Sequence, residues 1–113
     1  MRWPDRVNLH DERTAYIDLT QCDGAPDELW IPAGHYGSSK RFRFKPDTLT
    51  AEWWWDIRDE YWKIRHVRVS GIRIHKTARW SVDLKYVDFG KGKIPEWAMF
   101  LVAEARPRNV ERF

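Results

Sequence analysis

Val67-Arg68-Val69-Ser70-Gly71-Ile72-Arg73-Ile74 is the stretch on which the fold of this chain turns. It reads in two ways. With a two-residue turn at Ser70-Gly71 it is a tight hairpin, which pairs Val69 with Ile72 and Val67 with Ile74 on one face. Arg68 then opposes Arg73, and His66 opposes His75, on the other face. The rival is one long strand with a bulge at Ser70-Gly71, since a bulge also changes the face taken by the residues after it. Four β-branched residues gathered on one side favour the hairpin.

Downstream, Trp80, Val82, Leu84 and Tyr86 alternate with Ser81, Asp83 and Lys85 and read as a further strand. A three-residue connection at Thr77-Ala78-Arg79 pairs Ile74 with Val82 and Ile72 with Leu84. It also sets Arg73 against Asp83 and His75 against Ser81. A two-residue connection puts Ile74 opposite Ser81, and the hydrophobic pattern rejects that register. Gly90-Lys91-Gly92-Lys93 reads as a turn. Trp97 to Ala105, between Pro95 and Pro107, suits either a helix with Pro95 in its first turn or a fourth strand buried on both sides. Its continuous apolar character favours the strand. Arg106 to Phe113 is a polar tail expected to fray.

Upstream, residues 48–62 are ambiguous. A helix over about 50–60 would start at Thr50-Ala51-Glu52 and place Trp54, Ile57 and Tyr61 on one face. A hairpin turning at Asp59-Glu60 would instead pair Ile57 with Trp62 and Trp55 with Ile64, with Asp56 facing Lys63. Asp-Glu is a poor two-residue turn, because tight hairpin turns want residues at positive φ, so the helix is favoured. Lys40 to Lys45 alternates cations with Phe42 and Phe44 and ends at Pro46-Asp47. Ala33 to Ser39 is a loop, Leu29-Trp30-Ile31 a short strand closed by Pro32, and Thr14 to Thr20 a strand ended by Asp23-Gly24-Ala25-Pro26-Asp27. The expected class is α+β and mostly β. Its sheet is an antiparallel meander over 62–69, 72–76, 79–89 and 97–105, with one short helix near 50–60. An all-β sandwich is the alternative.

The 113 residues suit a single domain, 1–113. Eight tryptophans are more than such a core needs. Trp53-Trp54-Trp55 cannot all face one way in a strand, and in a helix they would spread around most of its circumference. That run is the best argument from sequence for an interaction surface. Cys22 is the single cysteine, so no intramolecular disulfide is possible, and the four histidines match no zinc spacing. No metal and no cofactor is expected. No apolar run is long enough for a membrane span, and Met1-Arg2-Trp3-Pro4-Asp5 opens no signal region. The expectation is a cytoplasmic protein, or a virion-associated one if the chain is a phage accessory protein, with no membrane partner.

The net charge of +3 is unevenly spread. Residues 1–39 hold three Arg/Lys against seven Asp/Glu, and residues 40–79 hold eleven against five. The basic middle suits an anionic partner, or a solvated face balanced by the acidic N-terminal part. The candidate binding residues are Arg68, Arg73, His66, His75, Trp53, Trp54, Trp55, Arg41 and Arg43. Trp and Arg dominate interface hot spots, so a non-catalytic module that docks on another protein is the leading expectation. Nucleic-acid binding by residues 40–79 is the alternative, although Phe42 and Phe44 point away from Arg41 and Arg43. His75-Lys76-Thr77 is similar to the His-x-Thr element of two-histidine phosphoesterases. A second copy would need Thr or Ser where Arg68 stands, and no catalytic residues are expected.

Overall fold

The computed structural model describes residues 12–34, 38–76, 78–87 and 93–107. Five strands, β1 (Glu12–Asp18), β2 (Leu29–Ile31), β3 (Phe42–Asp56), β4 (Tyr61–Arg73) and β5 (Ala78–Asp83), form one antiparallel sheet, and helix α1 (Glu96–Glu104) follows. The protein is therefore α+β and mostly β. β3 is the spine. β1 pairs with its C-terminal part and β2 with its first residues along one edge, β4 takes the other edge, and β5 adds to β4.

One face of the sheet carries the core. In β3, Phe42, Phe44, Pro46, Leu49, Ala51, Trp53 and Trp55 are buried. The phase slips between Pro46 and Leu49, where Asp47 is an extra residue relative to β4. A second irregularity leaves Arg65 of β4 unmatched, which keeps Ile64 and Val67 on the inner side. Ala98 and Val102, one turn apart on α1, join the same core. Arg106, just past α1, lies with its guanidinium 4.5 Å from the Tyr61 ring and 5.4 Å from the Trp53 ring.

The expected reversal at Ser70-Gly71 is absent. β4 runs straight through both residues, so Val67, Val69 and Gly71 face in while Arg68 and Ile72 face out, and Ile72 is 40% exposed. Val69 pairs with Leu49 on β3 and Val82 on β5, not with Ile72. The glycine serves a close approach of backbone instead of a turn. A Cβ on Gly71 would lie 2.0 Å from the Lys45 carbonyl oxygen and 2.7 Å from the Pro46 Cα. Pro46, which has no N–H to give a ladder, and the bulge at Asp47 occupy that crossing.

Residues 50–56 are strand, not helix. Ala51, Trp53 and Trp55 face in with period two, and pairing to β1 and β4 on both sides overrides the helix-start chemistry of Thr50-Ala51-Glu52. β3 and β4 are joined by a four-residue turn, Ile57 to Glu60, so neither central residue need adopt a tight hairpin geometry. Asp56 holds it with a carboxylate that accepts from the Arg58 N–H at 2.9 Å and the Asp59 N–H at 3.4 Å. Glu60 takes the left-handed conformation at φ 50°. The register pairs Trp55 with Trp62 and Asp56 with Tyr61.

The meander boundaries change accordingly. β5 ends at Asp83, whose side chain accepts from the Lys85 N–H and starts a 3-10 turn over Leu84–Tyr86. It pairs Arg68 with Asp83 and Arg73 with Ala78. Residues 97–105 are helical, not a fourth strand: the chain enters α1 through Pro95, and its apolar residues divide, with Ala98 and Val102 buried and Met99 and Phe100 exposed. Thr77, the Gly90–Gly92 turn, the 88–89 end of the third expected strand, residues 35–37 of the loop, the N-terminal Met1–Asp5 and the tail from 108 lie outside the described residues.

Asp47 links the bulge to β5. Both its carboxylate oxygens accept from Arg79, at 2.8 and 2.9 Å. The Arg79 hydrogen bonds hold the Asp47 carboxyl below its usual range. A carboxyl with a depressed pKa in the folded state stabilises above its unfolded pKa, about 3.9, and that contribution fades as pH falls through the lowered value. Asp47→Asn is therefore expected to flatten part of the acid limb of stability below about pH 5. Urea midpoints measured against pH check this, and parallel curves for the two proteins would contradict it.

Candidate functional site

The cations of the basic middle segment sort into two groups. Five of them meet carboxylates on the sheet surface, Arg79 on Asp47 among them. Arg68 meets Glu52 at 3.6 Å, Arg65 meets Glu12, and Arg43 meets Glu28 at 3.2 Å. Lys63 lies between Asp56 at 2.7 Å and Asp59 at 2.6 Å. Its hydrogen bonds to Asp56 and then Asp59 push its pKa up to about 12. Arg41 and Arg73 differ. Arg41 stacks over Trp30 at 4.3 Å, and Arg73 over Phe42 at 4.1 Å and Trp80 at 5.4 Å. Neither has a carboxylate partner among the described residues.

Those two arginines border one cleft of about 290 Å³ at the end of the sheet. Three segments build it. In β2, Leu29 and Ile31 are buried, so Trp30 between them points to the outer face, where it pairs with Arg43 and stays 42% exposed. Arg41, just before β3, and Phe42 and Arg43 at its start form the second side. The end of β4 and the turn after it supply Arg73, Ile74, His75 and Lys76. The Ile74 N–H donates to the Arg43 carbonyl at 3.1 Å, which fixes the turn against β3.

The turn has a marked feature at His75. The Lys76 N–H donates to the Arg73 carbonyl at 3.2 Å, and His75 occupies the third turn position at φ 73°. Type II turns require that conformation there and normally fill it with glycine. A histidine so held costs of order 1 kcal/mol. Its Nε2 lies 3.4 Å from Nη2 of Arg43. A guanidinium only donates, so a hydrogen bond at this contact is one in which Nε2 accepts.

Of the nine residues singled out from sequence, Arg41, Arg43, Arg73 and His75 meet in this cleft. Arg68 does not. It lies on the opposite face of β4 from Arg73, about 16 Å away along the strand at 3.3 Å per residue. His66 and His75 do not face each other either, because roughly 23 Å of extended strand separates His66 from Arg73 alone. His66 borders a second cleft of about 310 Å³ with Arg65, Asp83 and Lys85. Its Nδ1 is 3.8 Å from the Asp83 carboxylate. Trp53 and Trp55 are core residues, 1% and 3% exposed, and Trp54 is half-buried on the outer face, so the run makes no platform. Trp30, Phe42 and Lys76 were not singled out. The signal for Trp30 is its place between two inward-facing apolar residues, but its partnership with Arg43 depends on a strand pairing that no local pattern reveals.

This arrangement can hold an anion. Guanidinium groups bind carboxylate or phosphate through paired N–H donors. An exposed indole beside them offers a flat apolar surface. Glu28, which pairs with Arg43, is the carboxylate that competes. Among the described residues no helix is long and apolar enough to cross a membrane. Comparison with family models, with curated proteins and with solved structures gives no match to this chain.

Proposed function

We propose that the chain is a non-catalytic docking module that takes an anionic stretch of another macromolecule into the cleft between Trp30 and the turn at Ile74–Lys76. A single observation carries this reading: where Arg43, Arg65, Arg68 and Arg79 of the middle segment each face a carboxylate, Arg41 and Arg73 rest on aromatic rings at the rim of one cleft. A guanidinium held on a ring keeps its N–H donors available and loses little side-chain freedom on binding. The docking residues are those that dominate interface energetics, Trp and Arg, with Trp30 in the role first expected of Trp53-Trp54-Trp55.

The test is binding of a polyanion, polyglutamate or a single-stranded oligonucleotide, by calorimetry at low and moderate salt. Arg41→Gln and Arg73→Gln keep the apolar stems while removing the charge. Each is expected to weaken binding about tenfold, the usual worth of a hydrogen bond to a charged group. Arg68→Gln, about 16 Å along β4 from Arg73 and beside Glu52, is expected to leave affinity within about twofold, the range of an exposed ion pair. Equal losses from Arg68→Gln and Arg73→Gln would remove the cleft as the site.

A further inference from the structure

We infer that the cleft is a site for single-stranded nucleic acid, in which one base stacks on Trp30 and the flanking phosphates are held by Arg41, Arg43 and Arg73. The inference rests on the reading of the cleft as an anion site and names its ligand. Within one strand the cations and rings of Lys40 to Lys45 point to opposite faces, which argues against a nucleic-acid groove. β2 removes that objection. Its pairing with β3 sets Trp30 opposite Arg43 on the outer face, so a ring from one strand shares a surface with Arg41 and Arg43 of another, while Arg73 lines the same cleft from the inner-face side of β4. Trp30 keeps 42% of its surface exposed with Arg41 already over the ring.

Charge for phosphates and a ring for a base are the two requirements of a single-strand site. The volume is the second argument. About 290 Å³ is at the lower limit of pockets that enclose a small molecule, which suits one nucleotide unit. A duplex keeps its bases stacked inside and offers the cleft only phosphates. An acidic peptide satisfies the arginines but leaves Trp30 without a flat partner. His75, exposed at the cleft with its Nε2 3.4 Å from Nη2 of Arg43, adds a polar ring beside these cations.

The test is fluorescence anisotropy of labelled oligo(dT), with a duplex of the same length and with polyglutamate of matched charge as competitors. Oligo(dT) is expected to bind about tenfold more tightly than either competitor, since stacking adds to charge. Trp30→Ala is expected to weaken oligo(dT) about tenfold or more and polyglutamate by clearly less, since the peptide loses only the ring that holds Arg41, and Trp30→Phe to restore most of the loss. Thermal melts by circular dichroism establish that each variant is folded. Arg41→Gln should lower the slope of log affinity against log salt by about 0.7, one phosphate contact to a single strand. Polyglutamate or duplex binding as tightly as oligo(dT), or Trp30→Ala without effect, overturns the nucleic-acid assignment and leaves the anion cleft standing. Failure of every polyanion to bind at low salt overturns both.

Discussion

Gly71→Ala is expected to destabilise the protein by about 3 kcal/mol or more, at the upper end of what added core atoms cost. The ordinary cost of alanine in a strand is small, and alanine is the better strand residue of the two on entropic grounds. Here the sign is set by contact. The new methyl would stand 2.0 Å from the Lys45 carbonyl oxygen and 2.7 Å from the Pro46 Cα, and both are backbone atoms that no rotamer change can move. Relief requires β3 and β4 to separate where the bulge at Asp47 sits, which also disturbs the Asp47–Arg79 pair that ties β3 to β5. Urea unfolding measures the loss directly. A variant within 0.5 kcal/mol or so of the parent, the usual range for an unconstrained surface site, would show that Gly71 sits in a turn after all.

Trp53→Ala is expected to cost about 3–5 kcal/mol, the range for deleting a buried aromatic ring. Trp53 is 1% exposed on the inner face of β3, where it pairs with Arg13 on β1 and Ile64 on β4. Trp53→Phe should cost less than half as much. It keeps much of the packing, and it deletes an indole N–H that finds no hydrogen-bond partner among the described residues. The contrast matters for function, because the Trp53-Trp54-Trp55 run is the strongest surface signal in the sequence. A Trp53→Ala protein with stability close to the parent would return that run to the list of binding surfaces.

The strands that alternate without interruption are legible in the sequence: Ala15 and Ile17, Leu29 and Ile31, Phe42 and Phe44 each face inward as their period requires. Legibility ends where a residue type serves two purposes. Glycine after serine marks a tight turn by its freedom at positive φ, and it equally marks a place where another backbone passes too close for a Cβ. What separates the two at Gly71 is a bulge 24 positions earlier in the chain, at Asp47, which no window around Gly71 contains. Pro46 misleads in the same way, ending a strand in the usual reading and occupying a bulge here. At residues 97–105 an apolar run is divided between a buried and an exposed side, a distinction that composition does not carry.

The cleft shows the same division. Arg41 and Arg43 stand out by alternation, and Arg73 and His75 by a hairpin that does not form, so that the straight course of β4 delivers them to a different place. Their meeting depends on three separate segments, and Trp30 enters only through the register of β2 on β3. The pairing of Arg43, Lys63, Arg65, Arg68 and Arg79 with Glu28, Asp56, Asp59, Glu12, Glu52 and Asp47 is likewise a property of strand order.

Backbone and indole chemical shifts followed by nuclear magnetic resonance during an oligo(dT) titration address the cleft most directly. The Trp30 indole N–H, the amides of Arg41 to Arg43 and those of Arg73 to Lys76 should move together and saturate at one ligand concentration. Shifts confined to the middle of the outer sheet face, around Glu52, His66 and Arg68, with Trp30 and His75 unmoved, would contradict the assignment of the cleft.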